Sequence, residues 1–126
     1  MERKIALALL ILFTPLITRA ADPQLFRLAV SDVPVENGKL LNMEFQEVAR
    51  DELASTVQVT RRSGGSVSSS MFVMRGMCGL TRSRGKQNFV PKPVEGQQDR
   101  YTVTFPETAP EPGKGFSISQ CDLMRY

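Results

Sequence analysis

Few side chains in this sequence could carry out catalysis. The chain has no histidine, so the common serine–histidine and cysteine–histidine pairs and imidazole metal sites cannot form. Carboxylates gather at Glu44, Glu47, Asp51 and Glu52, but a solvated polar face of an amphipathic segment explains them better than an acid–base pair. We therefore expect a protein that is not an enzyme and that uses no cofactor.

Sulfur atoms form the next group that could do chemistry. Met71, Met74 and Met77 directly precede Cys78, and thioether and thiolate sulfurs select Cu(I). On a strand, alternation would send Met74 to one face and the other two methionines to the opposite face, so the sulfurs converge only on a helix or loop. Core packing by flexible methionines is the favoured explanation, without a metal site. A Cu(I)-binding protein remains an alternative function.

The two cysteines, Cys78 and Cys121, allow only one pairing. A free reactive thiol needs a nearby base, which this chain does not supply as histidine. We predict a structural disulfide, which would close a loop of about 44 residues and stabilise the fold by about 4 kcal/mol.

Basic residues are concentrated in the middle of the chain, where no acidic residue occurs between Glu52 and Glu95. If Gly79–Lys86 stays extended, its three cations project together, and backbone N–H groups near its glycines could help to hold an anion. The alternative is a solvated turn that keeps an edge strand from aggregating. The predicted binding residues are Arg61, Arg62, Arg75, Arg82, Arg84 and Lys86.

The first 20 residues predict export. Positive charge at Arg3 and Lys4 precedes an apolar stretch over residues 5–17, and small residues stand before a cut after Ala20. The stretch is too short to span a bilayer and contains Pro15. We expect a signal peptide over residues 1–20, a single β-rich domain over residues 21–126, no stable membrane insertion after cleavage, and a periplasmic or secreted location.

Period-two alternation in several short segments predicts half-buried strands that would position these side chains. Such segments centre on Leu28, Met43, Val57, Val103 and Phe116, and the dipeptide Asn37-Gly38 indicates a hairpin before the second. The predicted fold is mainly β, a small antiparallel sandwich or barrel of six to seven short strands, with or without one short helix.

Two segments need separate interpretation. The apolar stretch Met71–Leu80 is predicted as a central strand. The one helix candidate is Glu44–Ala54, where Phe45, Val48 and Leu53 fall at helical spacing.

These features together predict a small exported binding protein, of the inhibitor or immunity type. Its partner would be an acidic protein or an anionic envelope component. Nucleic acid is not expected, because no aromatic residues lie among the cations and the chain without residues 1–20 is nearly neutral. A structural subunit of an envelope assembly, which adds a partner to an exposed strand edge, is a further alternative.

Overall fold

The computed structural model describes residues 24–34, 40–63 and 66–126. They form six antiparallel strands in a curled half-barrel sheet and two helices, which confirms the mainly β prediction. The predicted signal peptide and the Asn37-Gly38 dipeptide lie outside the described residues. In chain order the elements are β1 (Arg27–Pro34), β2 (Leu40–Arg50), β3 (Ala54–Ser63), α1 (Ser66–Ser83), β4 (Asn88–Pro93), β5 (Arg100–Thr104), β6 (Phe116–Ser117) and α2 (Ile118–Met124).

The strands pair in the order β1-β2-β3-β5-β4-β6. The first three form a meander, and the register of β1 on β2 shifts by one residue between Val30 and Val33, which marks a bulge. The helix α1 connects β3 to β4 and packs against the inner face of the sheet. A short helix, α2, ends the chain and contacts α1.

The core lies between α1 and the inner face of the sheet. Alternation along β2 turns Leu41, Met43 and Phe45 inward, where each is at most 6% exposed. The other core members come from five further elements, and those on strands follow the same alternation. They are Val57, Val59, Phe72, Met77, Cys78, Leu80, Phe89, Val103 and Cys121.

The prediction of a strand over Met71–Leu80 is wrong, because these residues lie within α1. Two glycines on the helix face that meets the sheet explain how the helix fits. A Cβ atom at Gly76 would collide with the ring of Phe45, and one at Gly79 would lie 2.6 Å from the ring of Phe26. The helix therefore packs close to two aromatic rings that are themselves in edge-to-face contact, 5.9 Å between centroids.

The helix candidate Glu44–Ala54 is also wrong, since β2 continues to Arg50. The inward positions of β2 are Leu41, Met43, Phe45 and then Glu47, which is fully buried. A buried carboxylate interrupts the apolar alternation, so the remaining apolar residues coincidentally match a helical spacing.

The predicted disulfide is confirmed, and it joins the two helices. Cys78 of α1 and Cys121 of α2 have an S–S distance of 2.09 Å, and both residues are fully buried. A capping box begins α2, in which the Ser117 hydroxyl accepts from the backbone N–H of Gln120. The disulfide indicates a protein that folds outside the reducing cytoplasm. Among the described residues, no helix is both long and apolar enough to cross a membrane.

Candidate functional site

The structure places the six predicted binding cations in several separate regions. Arg61 and Arg62 are neighbours on β3 but point to opposite faces of the sheet. Arg61 faces α1, where its Nε lies 3.2 Å from Asp99 Oδ1. Arg62 lies on the outer face, in a shallow notch that Glu44 also lines. These two arginines therefore cannot contribute to one surface.

The three cations of the predicted basic loop also lie apart. Their convergence required Gly79–Lys86 to be extended, and this condition is not met because α1 continues to Ser83. Arg82 lies in the last turn of α1 and pairs with Asp122 of α2 at 2.7 Å. Lys86 lies beyond the helix and lines a shallow depression that contains Phe105 and Glu107. Arg84 lies between Arg82 and Lys86 in the sequence. Its side chain packs against the protein, with the guanidinium 4.9 Å from the ring centre of Phe105.

Arg84 fastens the end of α1 to the turn between β2 and β3. Its Nη1 donates to Ala54 O at 2.8 Å and to Ser55 Oγ at 2.9 Å, and its Nη2 donates to Asp51 O at 2.6 Å. Because the guanidinium donates hydrogen bonds to three acceptors in and beside one turn, it is engaged within the protein. Arg84 is thus a structural residue, and this role cannot be predicted from the sequence, because its acceptors lie about 30 positions earlier in the chain.

The Ser55 hydroxyl continues this network to the buried carboxylate of Glu47, to which it donates. Glu47 also accepts from the Phe26 backbone N–H at 2.9 Å and from Arg50 Nε and Nη2 at 2.9 and 2.6 Å. Burial acts to raise the pKa of Glu47, but the hydrogen bonds from Arg50, Phe26 and Ser55 outweigh it and hold the pKa below its usual value. Glu47 and Ser55 are at most 1% exposed, so these two members of the network are closed to solvent.

An open surface of the described chain surrounds the N-terminal half of α1. Two grooves follow the two sides of the helix where it lies on the sheet. The first groove, of about 270 Å³, is lined by Val30, Leu41, Ser68, Met71, Phe72 and Arg75. The second groove, of about 170 Å³, is lined by Arg61, Ser70, Val73, Met74, Met77, Pro91 and Tyr101.

Between these grooves, the outward face of α1 is itself apolar. Val67 is 58% exposed and Met71 is 48% exposed, and Met74 is half-buried one turn further along. We call this face and its two grooves the α1 surface. Positions 67, 71, 74 and 78 are three or four residues apart, so they form one stripe along the outward side of the helix. The C-terminal end of that stripe is covered by α2, and its N-terminal part is open.

The methionines of this helix do not converge on one site. The segment is a helix, which is the condition under which the sulfurs could have met. However, Met71 lines the first groove, whereas Met74 and Met77 line the second. Met77 is only 2% exposed and belongs to the core. Met71 and Met74 thus belong to the outer side of α1, and Met77 packs in the core.

The chemistry of the α1 surface is apolar with an arginine in each groove. Arg75 lies in the first groove, with its guanidinium 5.4 Å from the ring centre of Tyr126, and Arg61 lies in the second. No acidic residue lines either groove. Methionine, arginine and tyrosine are the residues that protein–protein interfaces favour, and each groove is smaller than the roughly 300–1,000 Å³ typical of small-molecule sites. The surface is thus suited to individual side chains of a partner protein.

Comparison of the chain with protein-family models, with curated proteins and with solved structures finds no match.

Proposed function

We propose that this protein is a small exported binding protein, not an enzyme, that recognises an acidic protein through the α1 surface. The observation that carries the proposal is the open apolar face of α1, with Arg61 and Arg75 in its flanking grooves and no acidic residue lining them. Such a face costs solubility when it is left uncovered, so large exposed apolar patches usually mark interaction sites.

Charge complementarity supports an acidic protein as the partner. Arg75 has no carboxylate partner among the described residues and is 5.4 Å from the ring centre of Tyr126, which leaves its charge to pair with an incoming carboxylate. Arg61 already pairs with Asp99 at a partly exposed position. Positive charge beside an apolar centre steers an acidic partner toward the site, while methionine side chains adapt to its shape.

An inhibitor or immunity-type protein acts in this way, since it binds and covers a surface and needs no reactive group. In the polar network, Glu47 and Ser55 are buried and Arg84 is half-buried, and the network serves stability. A disulfide between buried cysteines and the N-terminal segment with the pattern of a signal peptide support a periplasmic or secreted location.

The test compares two substitutions with the same change of charge on opposite faces. Arg75→Glu reverses the charge in the first groove, and Arg62→Glu reverses it in the notch on the outer face of the sheet. Immobilised wild-type protein and both variants are incubated with envelope extract from the source cells. Bound proteins are identified by mass spectrometry, purified, and titrated against each form at low and high salt.

We expect one acidic protein to bind the wild type and Arg62→Glu equally, and Arg75→Glu at least about tenfold more weakly. The affinity should fall as salt is raised. Equal binding by all three forms, or equal loss in both variants, would contradict the α1 surface as the site. Binding of phosphatidylglycerol vesicles that Arg75→Glu abolishes, with no protein captured, would instead identify an anionic lipid as the ligand.

A further inference from the structure

The outer strand β1 is an apolar edge that is only half covered. Phe26, Leu28 and Val30 face inward beside the core but are partly exposed. Met43 and Phe45, their neighbours on β2, are at most 3% exposed. Among the described residues, β1 pairs with β2 alone. The sheet therefore stops one strand before its inner face is fully buried on this side.

The direction of the backbone groups on β1 follows from one hydrogen bond. The Glu47 N–H donates to Phe26 O at 2.9 Å, so residue 26 turns its peptide groups toward β2. Alternation gives Leu28 and Val30 the same direction, opposite Phe45 and Met43. Arg27 and Ala29 consequently turn their N–H and C=O groups away from the sheet, where a further strand could bind them.

The opposite side of the sheet is protected in a way that β1 is not. Beyond its two-residue pairing with β6, the strand β4 carries Pro91 and Pro93. Proline has no N–H to offer and is a common device for blocking an exposed edge. Residues 26–30 contain no proline, and the proline of β1, Pro34, lies beyond the bulge between Val30 and Val33.

We propose that two copies of this chain associate through their β1 strands in an antiparallel pair about a twofold axis at Leu28. In this register Arg27 of one copy lies opposite Ala29 of the other, and the outward groups of both residues form four backbone hydrogen bonds. On the inner face, Leu28 meets its own copy and Phe26 meets Val30. The two half-barrels join into one sheet of twelve strands, with the half-covered apolar row buried at the seam.

The sequence of β1 is compatible with itself in this register. Arg27 faces a small neutral residue, so the two arginines are not opposed, and each keeps its ion pair with Glu44 at 2.8 Å. An isologous contact of this kind closes after two copies and does not propagate into a fibre. Val30 also lines the first groove, so the dimer sets two α1 surfaces on either side of the seam. The inference does not depend on the proposed acidic partner.

Sedimentation velocity of the protein as isolated from cells, from about 1 to 100 μM, tests this dimer. We expect a dimer for the wild type and for Ala29→Val, which keeps the outward N–H. Ala29→Pro removes that N–H from both copies, and so two of the four hydrogen bonds, and should weaken the dimer about thirtyfold. A wild-type protein that is monomeric at 100 μM, or a dimer that Ala29→Pro leaves unchanged, would overturn the proposal.

Engineered cysteines test the register, because the two native cysteines are already joined. Across the proposed seam, residues 27 and 29 of different copies are about 5.5 Å apart at Cα, within the range for a disulfide. Residues 27 and 27, or 29 and 29, are diagonal neighbours about 7–8 Å apart. An oxidised equimolar mixture of Arg27→Cys and Ala29→Cys should therefore give mainly the mixed disulfide dimer. A random distribution of the three possible dimers would contradict this register.

Discussion

The two halves of α1 both carry apolar residues but have opposite surroundings. In the C-terminal half, Cys78 is bonded to α2, Arg82 pairs with Asp122, and Leu80 is fully buried. In the N-terminal half, the same outward stripe carries Val67 and Met71, which are about half exposed. One helix thus serves the fold at one end and offers an uncovered face at the other.

The difference shows what a short C-terminal helix achieves in a small domain. The seven residues of α2 bury only Cys121, so hydrophobic contact alone would hold this helix weakly. The disulfide attaches it, and α2 then covers only the end of α1 that it can reach. Apolar residues beyond that reach stay open, which is the pattern expected where a partner completes the burial.

Cys78→Ala combined with Cys121→Ala should have the greatest effect, because it detaches α2 and so uncovers the C-terminal half of α1 as well. Loss of the cross-link, which spans a sequence separation of 43, should lower the free energy of unfolding by about 4 kcal/mol. Urea denaturation of the wild type and the double variant measures this loss, and amide exchange of α2 should rise in the variant. A loss below about 1 kcal/mol would show that packing, rather than the disulfide, holds α2 on α1.

A smaller effect is expected from Glu47→Gln, which disturbs the network that anchors the C-terminal end of α1 through Ser55 and Arg84. The substitution leaves Arg50 without its carboxylate, and we expect a loss of about 2–3 kcal/mol at pH 7. Urea denaturation at pH 7 measures it. Glu52→Gln, at an exposed position in the following turn, is the matched control and should change stability by less than about 0.5 kcal/mol.

The same pair of variants gives a pH signature. Because the pKa of Glu47 is lower in the folded protein than its ordinary value of 4.5, its contribution is complete above that ordinary value. It is lost as the pH falls through the lower, folded pKa. The difference in stability between the wild type and Glu47→Gln should therefore narrow from pH 6 to pH 3. A difference that stays constant would contradict an ionised Glu47 in the folded state.

The sequence predicts most strands of this fold because their alternation is local. The segments around Leu28, Val57 and Val103 are strands as expected. The helix α1 is missed because its stretch Met71–Leu80 carries apolar residues toward solvent as well as toward the core, and such a run cannot be told from a buried strand by periodicity. The apolar residues on the solvent side of α1, which make the helix hard to predict from the sequence, are the same residues that make it the candidate binding surface.

The dispersal of the basic residues depends on contacts between distant parts of the chain. Alternation alone separates Arg61 from Arg62 on a strand. By contrast, the role of Arg84 depends on carbonyl oxygens at Asp51 and Ala54, and that of Arg82 on Asp122. Charge density along a sequence therefore indicates where cations are frequent, but it does not show which of them the fold itself uses.

The least change in stability is expected in the open, N-terminal half of α1. Met71→Ser removes a side chain that is 48% exposed, and we expect the free energy of unfolding to change by less than about 0.5 kcal/mol. Met77→Ser, two turns along the same helix at a position that is 2% exposed, should lose about 2–5 kcal/mol, because it leaves a cavity in the core. Urea denaturation of both variants measures the contrast. If Met71→Ser were as costly as Met77→Ser, the N-terminal half of α1 would already be covered within the folded protein, and the α1 surface would not be open to a partner.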